Sequence, residues 1–216
     1  MRKYLAEFLG TYALVFAGTG AIIVNQQYGG VITHAGIALT FGMVVMSMIY
    51  TFGDISGAHF NPAVSIAFTV AGRFPVIELP VYILIQLAGA VCASYTLKIL
   101  FPVNEFLGAT MPSGSEAQSF VMETILTFFL MLVIIHVATG SKEKGMFAGI
   151  TIGSVVCLEA MFAGPVCGAS MNPVRSIAPA IAGGHFQHLW IYIIAPILGA
   201  VGAIFVYNQL KESIKA

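Results

Sequence analysis

The sequence predicts an all-α integral membrane protein with six transmembrane helices and two re-entrant half-helices, arranged as two inverted repeats. Three observations lead to this fold class: an apolar composition, six apolar stretches of near-spanning length, and a sequence pattern that occurs twice. Of the 216 residues, 58% are hydrophobic and 8% are charged, whereas about 25% of the residues of a soluble domain are charged. So few charges cannot cover the surface of a soluble protein, and most of this surface must face lipid.

The charges and cysteines exclude several classes of function. Nine basic residues balance nine acidic ones, so no basic surface for nucleic acid is indicated. Cys92, Cys157 and Cys167 lack the pairing of a disulfide framework and the spacing of a zinc site. The sequence shows no nucleophile–base pair and no metal cluster of the kind that would suggest an enzyme. We therefore expect no catalytic residue, no metal or other cofactor, and no nucleic-acid partner.

Six stretches approach the roughly 20 apolar residues that a transmembrane helix needs. The first follows Arg2 and Lys3, but it is too long for the apolar region of a signal peptide and no clear cleavage site follows, so it is interpreted as a retained span. The predicted spans are Tyr4–Val24, His34–Tyr50, Pro80–Leu100, Phe120–Thr139, Met146–Met161 and His188–Tyr207.

The basic residues indicate the orientation of the spans. Six spans put both termini on one side of the membrane, and an excess of Lys and Arg marks the cytoplasmic side. Only Lys98 and Arg175 fall on the opposite side. We therefore predict a multi-pass protein of a cell membrane, plasma or inner, with both termini cytoplasmic and the polar connection Val103–Ser119 outside. The basic residues on the terminal side are Arg2, Lys3, Arg73, Lys142, Lys144, Lys211 and Lys215.

The second half of the chain repeats landmarks of the first half in the same order. The sequence SGAHFNPA at Ser56–Ala63 matches CGASMNPV at Cys167–Val174. Each half, about 1–103 and 119–216, contains three spans. Because three is an odd number, the second copy must be inverted relative to the first. Inverted repeats of this kind place a functional site near the bilayer midplane.

Each Asn-Pro pair is followed by an apolar stretch too short to span the membrane. About 11 residues at 1.5 Å each form a helix of roughly 16 Å, half the thickness of the hydrocarbon core. Asn is a preferred N-cap and Pro a preferred first helical residue, so Asn61–Pro62 and Asn172–Pro173 predict two helix starts that meet at the midplane. The positive dipole ends of both helices then face the centre, which favours a neutral hydrogen-bonding solute over a cation.

The backbone that precedes each Asn-Pro pair is predicted to line a lumen. Non-helical backbone at membrane depth is tolerated only where it borders a water-filled cavity or is buried in protein. The carbonyl oxygens of these segments would form a ladder of acceptors, and the amide groups of both asparagines would point into the space between the helix starts. The predicted lumen residues are Gly57, Ala58, His59 and Phe60 in the first half and Gly168, Ala169, Ser170 and Met171 in the second.

The paired boxes Asn61–Ala63 and Asn172–Val174 resemble the Asn-Pro-Ala boxes of the aquaporin, or major intrinsic protein, family. The resemblance covers the whole chain, and the segment Phe162–Ser176 is most similar to the nodulin-like intrinsic proteins of plants and their prokaryotic relatives. It implies a single channel domain over residues 1–216, a homotetramer in the lipid bilayer with one pore in each protomer, and two constrictions in each pore. Val174 departs from the usual alanine and adds bulk beside the midplane.

The resemblance also implies an outer selectivity filter of four residues around an arginine. By their spacing from the box asparagines, the four positions fall on Phe41, Ala160, Ala169 and Arg175. In the family, water-selective members have a bulky His at the second position and a small polar residue at the third. Glycerol-selective members have two aromatic residues among the four. Here only Phe41 is large, so we expect a wide opening with Arg175 as the one strong donor.

Every other ionisable residue within the membrane is a candidate functional group. Glu7 and Glu123 hold equivalent repeat positions, and the resemblance implies that they are structural acids that accept backbone N–H groups from the pore loops. Glu159 departs from the family pattern, and it is interpreted as a loop anchor or as a proton-coupling group. His136 is expected to be a packing residue. Asp54 is expected to be a solvated loop charge, with a gate as the alternative.

These features together predict a passive channel for small neutral solutes that excludes ions and protons. The wide filter favours metalloid hydroxides such as arsenous and boric acid, which related nodulin-like proteins conduct, and glycerol, urea and water remain alternatives. A water-selective aquaporin is one competing interpretation. A proton-coupled transporter is another, because inverted repeats and broken helices also occur there, although the Asn-Pro centre has no titratable side chain.

Overall fold

The protein is described here by a computed structural model that covers residues 1–139 and 145–212. Within these residues the regular structure is entirely helical. Lys142, Lys144 and Lys215, which support the predicted orientation, lie outside the described residues. The helices are α1 (Arg2–Gln27), α2 (Thr33–Ser56), α3 (Pro62–Val70), α4 (Leu79–Leu100), α5 (Glu116–Ala138), α6 (Ala148–Cys167), α7 (Pro173–Gly183) and α8 (Leu189–Glu212).

Six of these helices are long and apolar enough to cross a membrane, namely α1, α2, α4, α5, α6 and α8. Their outer surfaces carry large apolar side chains, such as Leu84 and Phe205, which are 63% and 64% exposed. Buried polar and charged side chains, including Glu7 and Arg175, lie inside the bundle. The predicted fold class is confirmed, and the chain is a multi-pass membrane protein.

All six spans are longer than their apolar stretches predicted, and two of them extend furthest at their C-terminal ends. Helix α2 continues to Ser56 and α6 continues to Cys167, each about six residues beyond the predicted end. Both helices end at a glycine in the left-handed region, Gly57 at φ 84° and Gly168 at φ 85°, a conformation that glycine adopts without steric cost. Pro165 lies inside the last turn of α6 and does not end the helix.

The two short helices enter the bundle from opposite faces. The loop before α3 enters from the face where α1 begins, called here the terminal face, and the loop before α7 enters from the opposite face. The two helices have 9 and 11 residues, or about 14 and 16 Å at 1.5 Å per residue. Each packs against a span of the other half of the chain, α3 against α8 and α7 against α4. This exchange joins the two halves around the midplane.

Glycines let the long helices approach at backbone distance, as expected for small-residue contacts in a membrane. A Cβ on Gly42 of α2 would lie 2.6 Å from the carbonyl oxygen of Gly153 in α6, and a Cβ on Gly153 would lie 2.6 Å from the carbonyl oxygen of Gly42. A Cβ on Gly199 of α8 would similarly lie 2.2 Å from the carbonyl oxygen of Thr124. The walls of the central space are therefore held close together.

Candidate functional site: a pore between two half-helices

A cavity of about 820 Å³ extends through the bundle between the half-helix starts and helices α1, α2, α5 and α6. Asp54 and Gly145 lie at its terminal-face end, and Arg175 lies towards the other. One wall is apolar and comes from α2, α5 and α6. The other wall is the polar backbone before the two asparagines. The sequence-predicted residues that line the cavity, on either wall, are Phe41, Gly57, Ala58, His59, Phe60, Asn61, Ala160, Ala169, Ser170, Met171, Asn172 and Arg175.

The asparagine of each box caps its own half-helix. The side-chain oxygen of Asn61 accepts the backbone N–H of Ala63 at 2.9 Å, and that of Asn172 accepts the N–H of Val174 at 3.2 Å. Both asparagines have extended backbone and are followed by proline at the first helical position. This is the geometry that satisfies an otherwise unpaired donor at a helix start, and it directs both positive dipole ends towards the cavity.

The two asparagines also bind across the midplane. The side-chain nitrogen of Asn61 donates to the carbonyl oxygen of Met171 at 2.7 Å, and that of Asn172 donates to the carbonyl oxygen of Phe60 at 2.9 Å. One of the two N–H groups of each amide is therefore engaged with the opposite loop. The expectation that both N–H groups of each amide point into the lumen is wrong for the N–H group that bonds the opposite loop. The loop carbonyl beside each amide needs this donor.

The loops before the asparagines have the same unusual backbone in both halves. Ala58 and Phe60 have φ values of 51° and 48°, and the equivalent residues Ala169 and Met171 have φ values of 41° and 52°. A non-glycine residue at positive φ costs about 1–3 kcal/mol and persists only where the surroundings impose it. Both loops therefore require strong partners.

Glu7 and Glu123 supply those partners. Glu7 accepts the backbone N–H groups of the two residues before Asn61, at 2.9 and 2.8 Å. Glu123 accepts those of the two residues before Asn172, at 2.7 and 2.8 Å. Both glutamates are fully buried. Each carboxylate thus satisfies two donors that have no helical partner at membrane depth.

The first-half loop has further supports that the sequence analysis missed. Gln86 of α4 donates from its amide nitrogen to Glu7 at 2.8 Å and to the hydroxyl of Ser65 at 3.0 Å. The hydroxyl of Ser56 donates to Glu7 at 2.8 Å, and the hydroxyl of Tyr82 donates to the carbonyl oxygen of Ser56 at 2.9 Å. The available signal was a glutamine within an apolar span, because a buried amide needs partners.

His59 lies on the terminal-face side of the box Asn61, on the cavity wall. Its Nδ1 is 3.0 Å from the hydroxyl of Ser65, and its ring stacks on Phe68 with the ring centres 4.8 Å apart. Phe74 packs on it edge to face at 4.9 Å. The imidazole is therefore a packed part of the wall.

Phe41, Ala160, Ala169 and Arg175 all line the cavity. Arg175 is 2% exposed, and its Nη1 donates to the carbonyl oxygen of Gly108 at 2.8 Å. Its guanidinium carbon lies 5.1 Å from the centre of the Phe41 ring, within cation–π distance. Its Nε has no partner among the described residues. The two alanines each contribute only a methyl group to the cavity lining.

The connection between α4 and α5 folds back onto this region, which the sequence analysis did not foresee. Besides the carbonyl of Gly108, this connection contributes Thr110, whose hydroxyl donates to Ser176 at 2.7 Å. The Ser176 hydroxyl in turn lies 2.6 Å from the hydroxyl of Ser170 in the second pore loop. A polar loop carries no sequence pattern that reports such long-range contacts.

Two residues in or near the second box, Gly168 and Val174, are not part of the cavity wall. Gly168 was expected to line the lumen, but it is not part of the cavity wall, because Thr110 covers it: a Cβ on Gly168 would meet Thr110 at 3.0 Å. Val174 is 1% exposed and packs in the apolar core. Its extra bulk therefore lies behind the wall.

The remaining ionisable residues differ in their surroundings. Glu159 is 5% exposed and lies off the cavity wall, and its Oε2 has no partner in the described residues, so the expected loop anchor is not formed. Asp54 is exposed on the cavity wall, in the last turn of α2 rather than in a loop. His136 bonds the carbonyl oxygen of Leu132 at 2.7 Å. The described residues contain no group of three metal-binding side chains.

Comparison with known proteins identifies the family of this pore. The sequence profile of the family described as "Major intrinsic protein" matches residues 1–207. The chain belongs to this family. Nodulin-26 of Glycine max is 48% identical to it over 217 residues, which covers 100% of this chain and 80% of that protein. Aquaporin NIP1-2 of Arabidopsis thaliana is 48% identical over 224 residues, which covers 100% of this chain and 76% of that protein.

A solved structure gives the same result for the fold. The X-ray structure of the aquaglyceroporin from Plasmodium falciparum superposes with a TM-score of 0.88 and 28% sequence identity, and the match covers 96% of this chain and 95% of that one. Members of the major intrinsic protein family are channels and not enzymes. This aquaporin-family protein is accordingly a channel for small neutral solutes.

Proposed function

We propose that the pore conducts small uncharged metalloid hydroxides, arsenous and boric acid foremost, with glycerol and urea as further solutes and water as a lesser one. The observation that carries the proposal is the composition of the wall around Arg175. Ala160 and Ala169 leave Phe41 as the only large apolar side chain among the four proposed filter residues. The opening is therefore wide, with one apolar face and one strong donor.

The chemistry of this wall suits compact solutes with hydroxyl groups in several directions. Arg175 lines the cavity, and its guanidinium carries more N–H donors than the one on Nη1 that bonds Gly108, so an Nη group is available to a hydroxyl oxygen. The loop backbones offer carbonyl acceptors to the hydroxyl protons. Arsenous and boric acid carry three hydroxyls around one centre and are uncharged at neutral pH. The likeness to an aquaglyceroporin supports glycerol as a further solute.

Exclusion of ions follows from the same residues. A cation entering the pore meets the buried guanidinium of Arg175 and the positive ends of α3 and α7, which begin at Asn61 and Asn172. A neutral solute does not interact unfavourably with these charges. The proposed channel is therefore passive, and each solute moves down its own gradient.

The proposal includes the assembly and the membrane. Four copies form a homotetramer with a pore in each protomer, in a plasma or inner membrane, with both termini in the cytoplasm. The family supports the tetramer. The distribution of basic residues supports the orientation, because Arg2, Lys3 and Arg73 lie on the terminal side. Native mass spectrometry and protease protection in sealed vesicles test these two points.

A panel of solutes in proteoliposomes tests the proposed substrates. The unaltered protein is expected to conduct arsenous acid, boric acid and glycerol. The double change Ala160→His with Ala169→Cys narrows the filter with a bulky and a small polar side chain, so it should abolish metalloid passage and spare water. Gly202→Ala is a matched control, because a Cβ there meets Phe128 at an ordinary 3.6 Å. Vesicles that conduct water well but exclude all three solutes would instead support a water-selective aquaporin.

A further inference from the structure

The last turn of α6 has a gap in its hydrogen bonding. Pro165 lies within this helix, and proline has no N–H to donate to the carbonyl four residues earlier. That carbonyl belongs to Met161, which directly follows the proposed filter residue Ala160. The break therefore lies next to the filter, in a helix that would otherwise hold Ala160 rigidly.

A side chain from a neighbouring helix fills this gap. The Nε2 of His34, in the first turn of α2, donates to the carbonyl oxygen of Met161 at 2.6 Å. The same ring packs against the backbone of Gly164, since a Cβ there would lie 2.9 Å from the Cε1 of His34. The imidazole thus lies against the face of α6 that Pro165 disrupts, and its N–H replaces the missing one.

Two further carbonyl oxygens in the last turn of α6 also accept hydrogen bonds from outside the helix. Ser113, in the connection between α4 and α5, donates its hydroxyl to the carbonyl oxygen of Pro165 at 2.8 Å and its N–H to that of Val166 at 3.0 Å. His34 is the contact that joins this turn to α2. Because α2 also carries Phe41, two turns further along, this hydrogen bond joins the two helices that carry the proposed filter residues Phe41 and Ala160.

The interface of α2 and α6 is fixed at two other levels. At the middle, Gly42 and Gly153 approach within backbone distance. Near the terminal face, the hydroxyl of Tyr50 donates to the carbonyl oxygen of Met146 at 3.3 Å and accepts the N–H of Ile150 at 3.2 Å. The hydrogen bond of His34 is a third contact, and both Phe41 and Ala160 lie between it and the glycine pair along their helices.

We propose that His34 is a positioning residue of the selectivity filter, which holds the proline-broken end of α6 against α2 and so sets the separation of Phe41 and Ala160. It touches no solute and acts through the backbone of Met161. This proposal rests on the assignment of these residues as the filter under the proposed function. Its consequence is that an imidazole outside the pore controls which solutes pass through it.

A double-mutant cycle tests the proposal, with the ratio of glycerol to water permeability in one vesicle preparation as the readout. This ratio does not depend on how much folded protein each vesicle holds. His34→Leu should change it by about twofold to tenfold, the range that one net hydrogen bond is worth. His34→Gln, which keeps an N–H donor, should restore much of the original ratio. His136→Leu is the matched control, since His136 bonds a carbonyl of its own helix, and it should leave the ratio unchanged.

Pro165→Ala provides the decisive second arm. Alanine supplies the missing N–H, so the carbonyl of Met161 is satisfied within α6 and His34 is no longer needed. In the Pro165→Ala background, His34→Leu should have no effect on the permeability ratio. An equal effect of His34→Leu in both backgrounds would overturn the proposal, and so would an unchanged ratio in the single variant.

Hydrogen exchange separates this proposal from the proposed function. His34→Leu should accelerate exchange of the amides of the last turn of α6, and Pro165→Ala should suppress the acceleration. These measurements need no solute. If the unaltered protein fails to conduct metalloids and glycerol, the proposed function fails, and the exchange rates alone decide whether His34 holds the turn; unchanged exchange in His34→Leu refutes that role.

Discussion

Gly18 of α1 determines where the ring of Phe41 lies in the filter, and Gly18→Ala should narrow the pore there. A Cβ on Gly18 would lie 2.1 Å from Cε1 and 2.4 Å from Cζ of Phe41. Carbon atoms in contact are about 3.5–4.0 Å apart, so the ring must move by about 1.5 Å. The backbone of α1 lies on one side of the ring and the cavity on the other. The ring therefore moves into the lumen, towards Arg175.

The expected result is a loss of permeability that grows with solute size. Stopped-flow light scattering of proteoliposomes should show glycerol permeability reduced about tenfold, equivalent to about 1.4 kcal/mol in barrier height, with a smaller reduction for water. Phe41→Ala in the Gly18→Ala background removes the displaced ring and should restore or exceed the original glycerol permeability. Gly202→Ala, which adds a methyl group in a span without a close contact, should leave both permeabilities unchanged. Unaltered glycerol passage through Gly18→Ala protein, at equal protein content, would refute the reasoning.

Three further predictions concern the charged residues. Glu7→Met leaves two buried backbone N–H groups unpaired, at a cost of about 1–3 kcal/mol each. The melting temperature of this detergent-solubilised variant should therefore fall well below that of Glu7→Gln. Equal melting temperatures would contradict the role of Glu7. Arg175→Val should let protons or small cations pass while neutral flux persists, because one positive barrier is lost; an electrical recording without added conductance would count against it. Glu159→Gln should leave solute flux intact and indifferent to an imposed pH gradient, and uphill, proton-driven accumulation would reject a passive channel.

The parts of this pore that local chemistry specifies could be predicted from the sequence. Asn-Pro predicts a helix start because the side chain caps the helix and proline suits its first position, and Asn61 and Asn172 both cap their helices. The six spans follow from apolar length alone. The equivalent roles of Glu7 and Glu123 could be predicted because each occupies the same place in a repeated pattern.

The parts that depend on contacts between distant segments could not be predicted. The crossed hydrogen bonds of the asparagines join residues more than 100 positions apart, such as Asn61 and Met171. Gly168 was predicted on the lumen, but Thr110 of the connection between α4 and α5 covers it. The partner of Arg175 is a loop carbonyl, that of Gly108, and a backbone acceptor leaves no mark on the sequence.

The packing of each half-helix against the other half of the chain determines when the pore can form during synthesis. Helix α3 emerges from the ribosome with the first half, yet the span it packs against most extensively is α8, the last span of the chain. Until α8 is inserted, α3 and its loop lack part of their protein surroundings at a depth where lipid cannot satisfy the backbone. Insertion of α8 is therefore the step that completes the pore. The two halves, if synthesised as separate chains, should each be inert and should regain conduction only when they meet in one membrane.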